Sequence, residues 1–150
     1  MKFVATEDIA APAEAVWSQI SDFERFEERA QGSGAGLVRT PPGPAGRGTV
    51  WRGEAEVMGR RRRVAITLAE VDAPRRLAGA AEAEGVKVDF VVGIQDLGPE
   101  LTRLTVTTEA RACSLAARLL LQSAKLARGQ MARRYEGRVA DFAASIERTA

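Results

Sequence analysis

Between residues 49 and 111 apolar and polar residues alternate with a period of two, and from 114 to 148 the apolar spacing changes to three and four. A period of two is that of strands with one buried face, and a spacing of three and four is that of one face of a helix. Trp51, Gly53, Ala55 and Val57 share one face, with Arg52, Glu54 and Glu56 opposite. Arg62 to Val71 returns as a second strand, Leu77, Gly79, Ala81 and Ala83 form a further such row, and Val86, Val88, Phe90, Val92 and Ile94 another. Leu104, Val106 and Thr108 continue the pattern. Turn residues at Met58-Gly59, Asp72-Ala73-Pro74, Gly85 and Leu97-Gly98-Pro99 separate the runs. Five consecutive strands with short turns predict an antiparallel meander.

The stretch 114–148 contains no proline, and Leu120, Ala124, Ala127, Met131, Tyr135, Val139, Phe142 and Ile146 trace one stripe along it. It reads as one long helix. A sheet with one apolar face needs a cover, and this is the only element long enough to provide it.

The N-terminal part supplies the remaining elements. Residues 3–9 read as an edge strand. Pro12 suits the first turn of a helix over 13–20, because its missing N–H costs nothing there. Ser21 and Asp22 cap a second short helix over 23–30. Residues 31–48 are rich in Gly and Pro and read as loop, with a brief strand over 37–40. The Gly32-Ser33-Gly34-Ala35-Gly36 run follows a helix and lacks a following Gly-Lys-Ser/Thr, so it is not a phosphate-binding loop. The expected fold is α+β: one domain over 1–150, a curved antiparallel sheet wrapped around a long C-terminal helix, with two short helices after the first strand.

The residue inventory excludes most catalytic chemistry. Histidine is absent, and Cys113 is the one cysteine. Histidine bases, histidine-containing metal sites, an intrachain disulfide and an activated Cys–His pair are therefore impossible. No cofactor and no metal are expected. Lys plus Arg number 22 against 20 for Asp plus Glu, a net +2 that gives no argument for a nucleic-acid partner. Glu7 and Asp8 fall where a signal peptide needs apolar residues, and no run of about 18 apolar residues occurs. The expected location is cytoplasmic. A peripheral membrane contact and the oligomeric state are left open.

The expected inner face is built largely of small residues, including Gly53, Ala55, Gly79, Ala81 and Ala83, and Ala124 and Ala127 face it from the helix. Either helix and sheet pack closely, or the gap holds an apolar guest. On the second reading the lining is Trp51, Ala55, Val57, Gly79, Ala81, Phe90 and Val92 from the sheet, and Ala124, Ala127, Met131 and Tyr135 from the helix. Tyr135 is the first suspect for any polar contact. Glu54, Glu56 and Asp89 alternate to the outer face, away from such a gap.

Three further features stand out. Gly129 and Gly137 interrupt the helical pattern, as packing notches, as a bend or as a portal. Arg60, Arg61, Arg62 and Arg63 form a basic run at a hairpin tip, read as a solvated turn or a dock for an anionic surface. Leu115, Leu119 and Leu126 form a second apolar strip, flanked by Arg118, Lys125 and Arg128. A membrane, a second copy or the two short helices could each cover it.

The order of elements and two local motifs resemble the SRPBCC superfamily of START-like, birch-pollen-allergen-like and polyketide cyclase/dehydrase-like proteins. Ile9-Ala10-Ala11-Pro12-Ala13-Glu14-Ala15-Val16-Trp17, followed by Ser21-Asp22-Phe23-Glu24-Arg25-Phe26, resembles that family's opening. Pro74-Arg75-Arg76-Leu77 resembles its strand entry. The resemblance implies a helix-grip fold with a cavity between sheet and helix for a small hydrophobic molecule that is lipid-, quinone- or polyketide-like. Two alternatives are a cyclase- or dehydratase-like enzyme and a protein- or membrane-interaction module. No catalytic motif of the family maps onto this sequence.

Overall fold

The computed structural model describes residues 1–149. Its elements run β1 (Lys2–Ile9), α1 (Ala13–Ile20), α2 (Phe23–Gly32), β2 (Gly36–Thr40), β3 (Val50–Val57), β4 (Arg60–Asp72), β5 (Arg76–Ala83), β6 (Val86–Gly98), β7 (Leu101–Ala112), α3 (Leu115–Lys125) and α4 (Arg128–Thr149). The strands form one seven-stranded sheet in the order β1-β7-β6-β5-β4-β3-β2. Every neighbouring pair is antiparallel. This is the helix-grip fold. No described helix is long and apolar enough to cross a membrane.

Two hairpin turns fix the register. Met58-Gly59 and Glu84-Gly85 both carry positive φ at both positions. That is the two-residue turn whose twist matches the flanking strands.

The core falls into two clusters. One gathers Ala5 and Ile9 of β1, Val16 of α1, Ile94 and Leu104 of β6 and β7, and Val139, Ala143 and Ile146 of α4. The other gathers Trp51, Leu68 and Leu77, with Trp17, Ile20, Phe23 and Phe26 of the short helices packed against them. Asp22 caps α2 by accepting from the Arg25 N–H, and Ser114 caps α3 by accepting from the Ala117 N–H.

The terminal helix differs from the expected continuous rod. It divides at Leu126-Ala127, where the amides of Leu126 and Ala127 bond back three residues, to Ser123 and Ala124. Such tightened turns are shorter and less favourable than α-helical ones. Gly129 lies in the first turn of α4, just past Arg128, and weakens the helix there by about 1 kcal/mol relative to Ala. As a result α3 packs on β7, while α4 packs on β1 and α1.

Candidate functional site

Three helices stand toward the borders of the concave face, α4 against β1, α3 against β7 and α2 against β2, while α1 packs on β6 and β7. Leu68, Leu77 and Ile94, at one end of the middle strands, are buried, whereas most inner side chains toward the Met58-Gly59 and Glu84-Gly85 tips are half-buried. Register places them in rows. Ile66, Ala81 and Val88 lie side by side across β4, β5 and β6, and Val64, Ala83 and Val86 form the next row. Gly79, Phe90, Thr108 and Phe3 make a third row across β5, β6, β7 and β1. Of these residues only Gly79 and Val86 are buried, so the rows form the floor of an apolar trough.

The expected lining residues divide on this surface. Ala55, Val57, Ala81, Phe90, Val92 and Met131 are half-buried, and the sheet members of that set face inward. Ala124 is 8% exposed and faces the sheet from α3. Ala127 lies in the joint between the two helices and is exposed, away from the trough. Trp51 is 1% exposed, with the rings of Phe23 and Phe26 at 5.6 and 5.5 Å. Its surroundings are those of a core residue.

Two of the small residues are small for a reason other than empty space. A Cβ at Gly53 would fall on the carbonyl oxygen of Gly36. At Gly79 it would fall on the carbonyl oxygen of Thr67 and 2.7 Å from Cζ of Phe90. Close backbone approach and a ring lying over the chain occupy that room. The helix glycines are the reverse case. Gly137 has nothing within 4 Å of an added Cβ, so it is not a packing notch. At Gly129 the nearest atom is the end of the Arg133 side chain, at 3.6 Å.

Tyr135 reaches the sheet, and its hydroxyl is committed there. It donates to the Val106 carbonyl at 3.0 Å, and the Thr108 hydroxyl lies at 2.9 Å. A phenol has one proton, so Thr108 is the donor to Tyr135. Partial burial raises the phenol above its usual value, against a smaller lowering by the Thr108 hydrogen bond. At neutral pH the group is therefore a neutral phenol fastening α4 to β7.

The arginine run is a strand start, and the turn precedes it. Alternation sends Arg61 and Arg63 to the outer face and Arg62 inward, where its side chain is 12% exposed. Arg62 donates to the Val57 carbonyl at 2.9 Å and to Glu84 at 2.7 Å. Arg60 reaches the same carboxylate oxygen at 3.4 Å. This pair forms the polar lip of the trough at the two hairpin tips. Strand periodicity within β4 was the signal that could have found it. The same period along Phe3, Ala5, Glu7 and Ile9 puts half-buried Glu7 on the inner face, opposite Leu104.

The outer face is polar and ion-paired. Arg103 binds Asp8 through two nitrogens, at 2.8 and 3.2 Å, and holds its carboxyl below the usual carboxylate range. An open depression of about 500 Å³ on that face is lined by Arg52, Glu54, Arg63 and Glu82. Its mixed charges suit water better than an apolar guest. Among the described residues no group of three or more acidic or cysteine side chains is arranged to hold a metal ion.

A family model described as polyketide cyclase / dehydrase and lipid transport matches residues 1–147. The chain belongs to that family. Solved structures of this polyketide cyclase/dehydrase-type fold agree along nearly the whole length. Truncated norcoclaurine synthase from Thalictrum flavum is 15% identical, with a TM-score of 0.69, covering 99% of this chain and 92% of that one. The Zhui aromatase/cyclase from Streptomyces sp. R1128 is 20% identical, with a TM-score of 0.64 over 99% and 94%. A START superfamily protein from Mycobacterium smegmatis is 20% identical, with a TM-score of 0.58 over 93% and 97%. At these identities the shared property is the fold. No curated protein matches the sequence.

Proposed function

We propose that this protein binds and carries a small hydrophobic molecule of lipid-, quinone- or polyketide-like character in the trough between sheet and terminal helices. The observation that supports this is the half-buried apolar row of Val64, Ile66, Ala81, Val88 and Phe90 on the inner face, of which Ile66 and Phe90 pack against the Trp51 cluster and the others lie beyond it. An apolar surface left partly wet in a folded chain is a surface that gains free energy when a guest covers it, by about 25 cal/mol per Å² removed from water.

Filling the floor tests the reading. Ala81→Leu adds bulk at the centre of the trough without touching either cluster. Binding of an apolar fluorescent probe should weaken by roughly tenfold, the worth of excluding a few methylene-sized contacts. Native mass spectrometry of gently purified wild type should find a co-purified apolar molecule that the variant lacks. Identical probe affinity in both proteins, with no bound molecule in either, would dismiss the proposal. An enzymatic reading has less support, because the inward tyrosine already spends its proton on the backbone.

A further inference from the structure

The joint at Leu126-Ala127 turns α3 into a short separate helix, and its outward face is unusual. Leu115, Leu119 and Leu126 are 72, 59 and 92% exposed. At 100° per residue they fall within one narrow strip, on the side opposite the buried Ala117 and Ala124. No acidic residue occurs between Glu109 and Glu136, a stretch holding Arg111, Arg118, Lys125, Arg128, Arg133 and Arg134. Arg118 and Lys125 lie on one flank of the leucine strip and form no ion pair among the described residues. Together with Arg111, Gln122 and Leu121 they line a depression of about 350 Å³ beside the strip. Arg111 is itself bonded to Asp89 at 3.2 Å, so Arg118 and Lys125 carry the uncompensated charge there.

We propose that α3 is a docking surface for an anionic phospholipid bilayer. The three leucines enter the acyl boundary while Arg118 and Lys125 meet lipid phosphates. A protein partner would match an apolar face equally well. The bilayer is favoured by the pairing of a one-sided leucine strip with cations and no acids, the pattern of helices that lie in the interface plane. This inference depends on the surface of α3 alone and stands whether or not the trough holds a guest.

Flotation of the full chain with vesicles tests it. Phosphatidylcholine mixed with phosphatidylglycerol should carry the protein, and phosphatidylcholine alone about tenfold less, with binding to the mixture falling as salt rises. Leu119→Glu should reduce flotation by roughly tenfold or more. Arg118→Gln with Lys125→Gln should reduce it on the anionic vesicles only. These positions are exposed, so circular dichroism should show unaltered folding. Absence of flotation, or flotation indifferent to Leu119→Glu, overturns the proposal. So does sedimentation showing a dimer that Leu119→Glu dissociates, which would assign the strip to a second copy.

Discussion

The inner face of the sheet has two unlike regions. Beneath α4 and α1, the rows containing Ile9, Ile94 and Leu104 are sealed, with Ile9 and Leu104 at 0% exposure. Val64 and Ile66 on β4, and Val88 toward the other end of β6 from Ile94, carry the same kind of side chain, yet they remain half-buried. Composition is alike in the two regions, and the difference lies in where the helix sits. The joint after α3 lets α4 follow β1 and the sheet's border, so the middle of the concave face is left without a complete lid. One region supplies stability, and the other is where the proposed guest would sit.

Truncations should separate the two regions most sharply. Leu104→Ala should cost about 2–5 kcal/mol, the range for deleting a sealed leucine. Val88→Ala should cost about 1 kcal/mol or less, because its methyls are already partly wet. Denaturant titration of both variants checks this, and equal losses would remove the distinction between the regions.

A smaller effect tests the fastening between the two regions. Tyr135→Phe should lower stability by about 1 kcal/mol, by removing two hydrogen bonds and leaving Thr108 to water. The phenol's folded value lies above its unfolded value of about 10, because the fold favours the neutral form. That contribution is complete below about pH 10 and declines as pH rises through the folded value. Thermal melts from neutral to alkaline pH should therefore converge for wild type and Tyr135→Phe at the alkaline end. Loss of a ligand-transforming activity at unchanged stability would instead make this residue catalytic.

The smallest expected change is a gain. Gly137→Ala should raise stability by about 0.5–1 kcal/mol, since helix glycines are unfavourable and nothing obstructs the added methyl. A destabilised variant would mean that α4 packs more closely there than the described neighbours indicate.

Periodicity made the fold readable. Alternation along β3 to β7 and the proline-free end placed the sheet and its helical cover, and the opening around Pro12 placed the two short helices. What stayed hidden arises from three-dimensional approach. A glycine looks the same in a sequence whether it leaves room, as at Gly137, or gives up that room to a ring, as Gly79 does to Phe90. Four consecutive arginines look like one charged tip, but a strand's pleat deals them to opposite faces. The break at Leu126 carries no proline, and its only written sign is Gly129 three residues later. Likewise the outward leucines of α3 were visible as a strip, while their exposure followed from where the chain bends.

The bond from Arg62 to Glu84 has a mechanical consequence. With the longer Arg60–Glu84 contact, it couples the β3–β4 and β5–β6 tips beyond the Val64–Ala83 pair, where the β4–β5 ladder ends. Displacing either tip strains the same carboxylate, so that margin yields as one stiff bar. Backbone amides at both tips should then lose protection from exchange in concert.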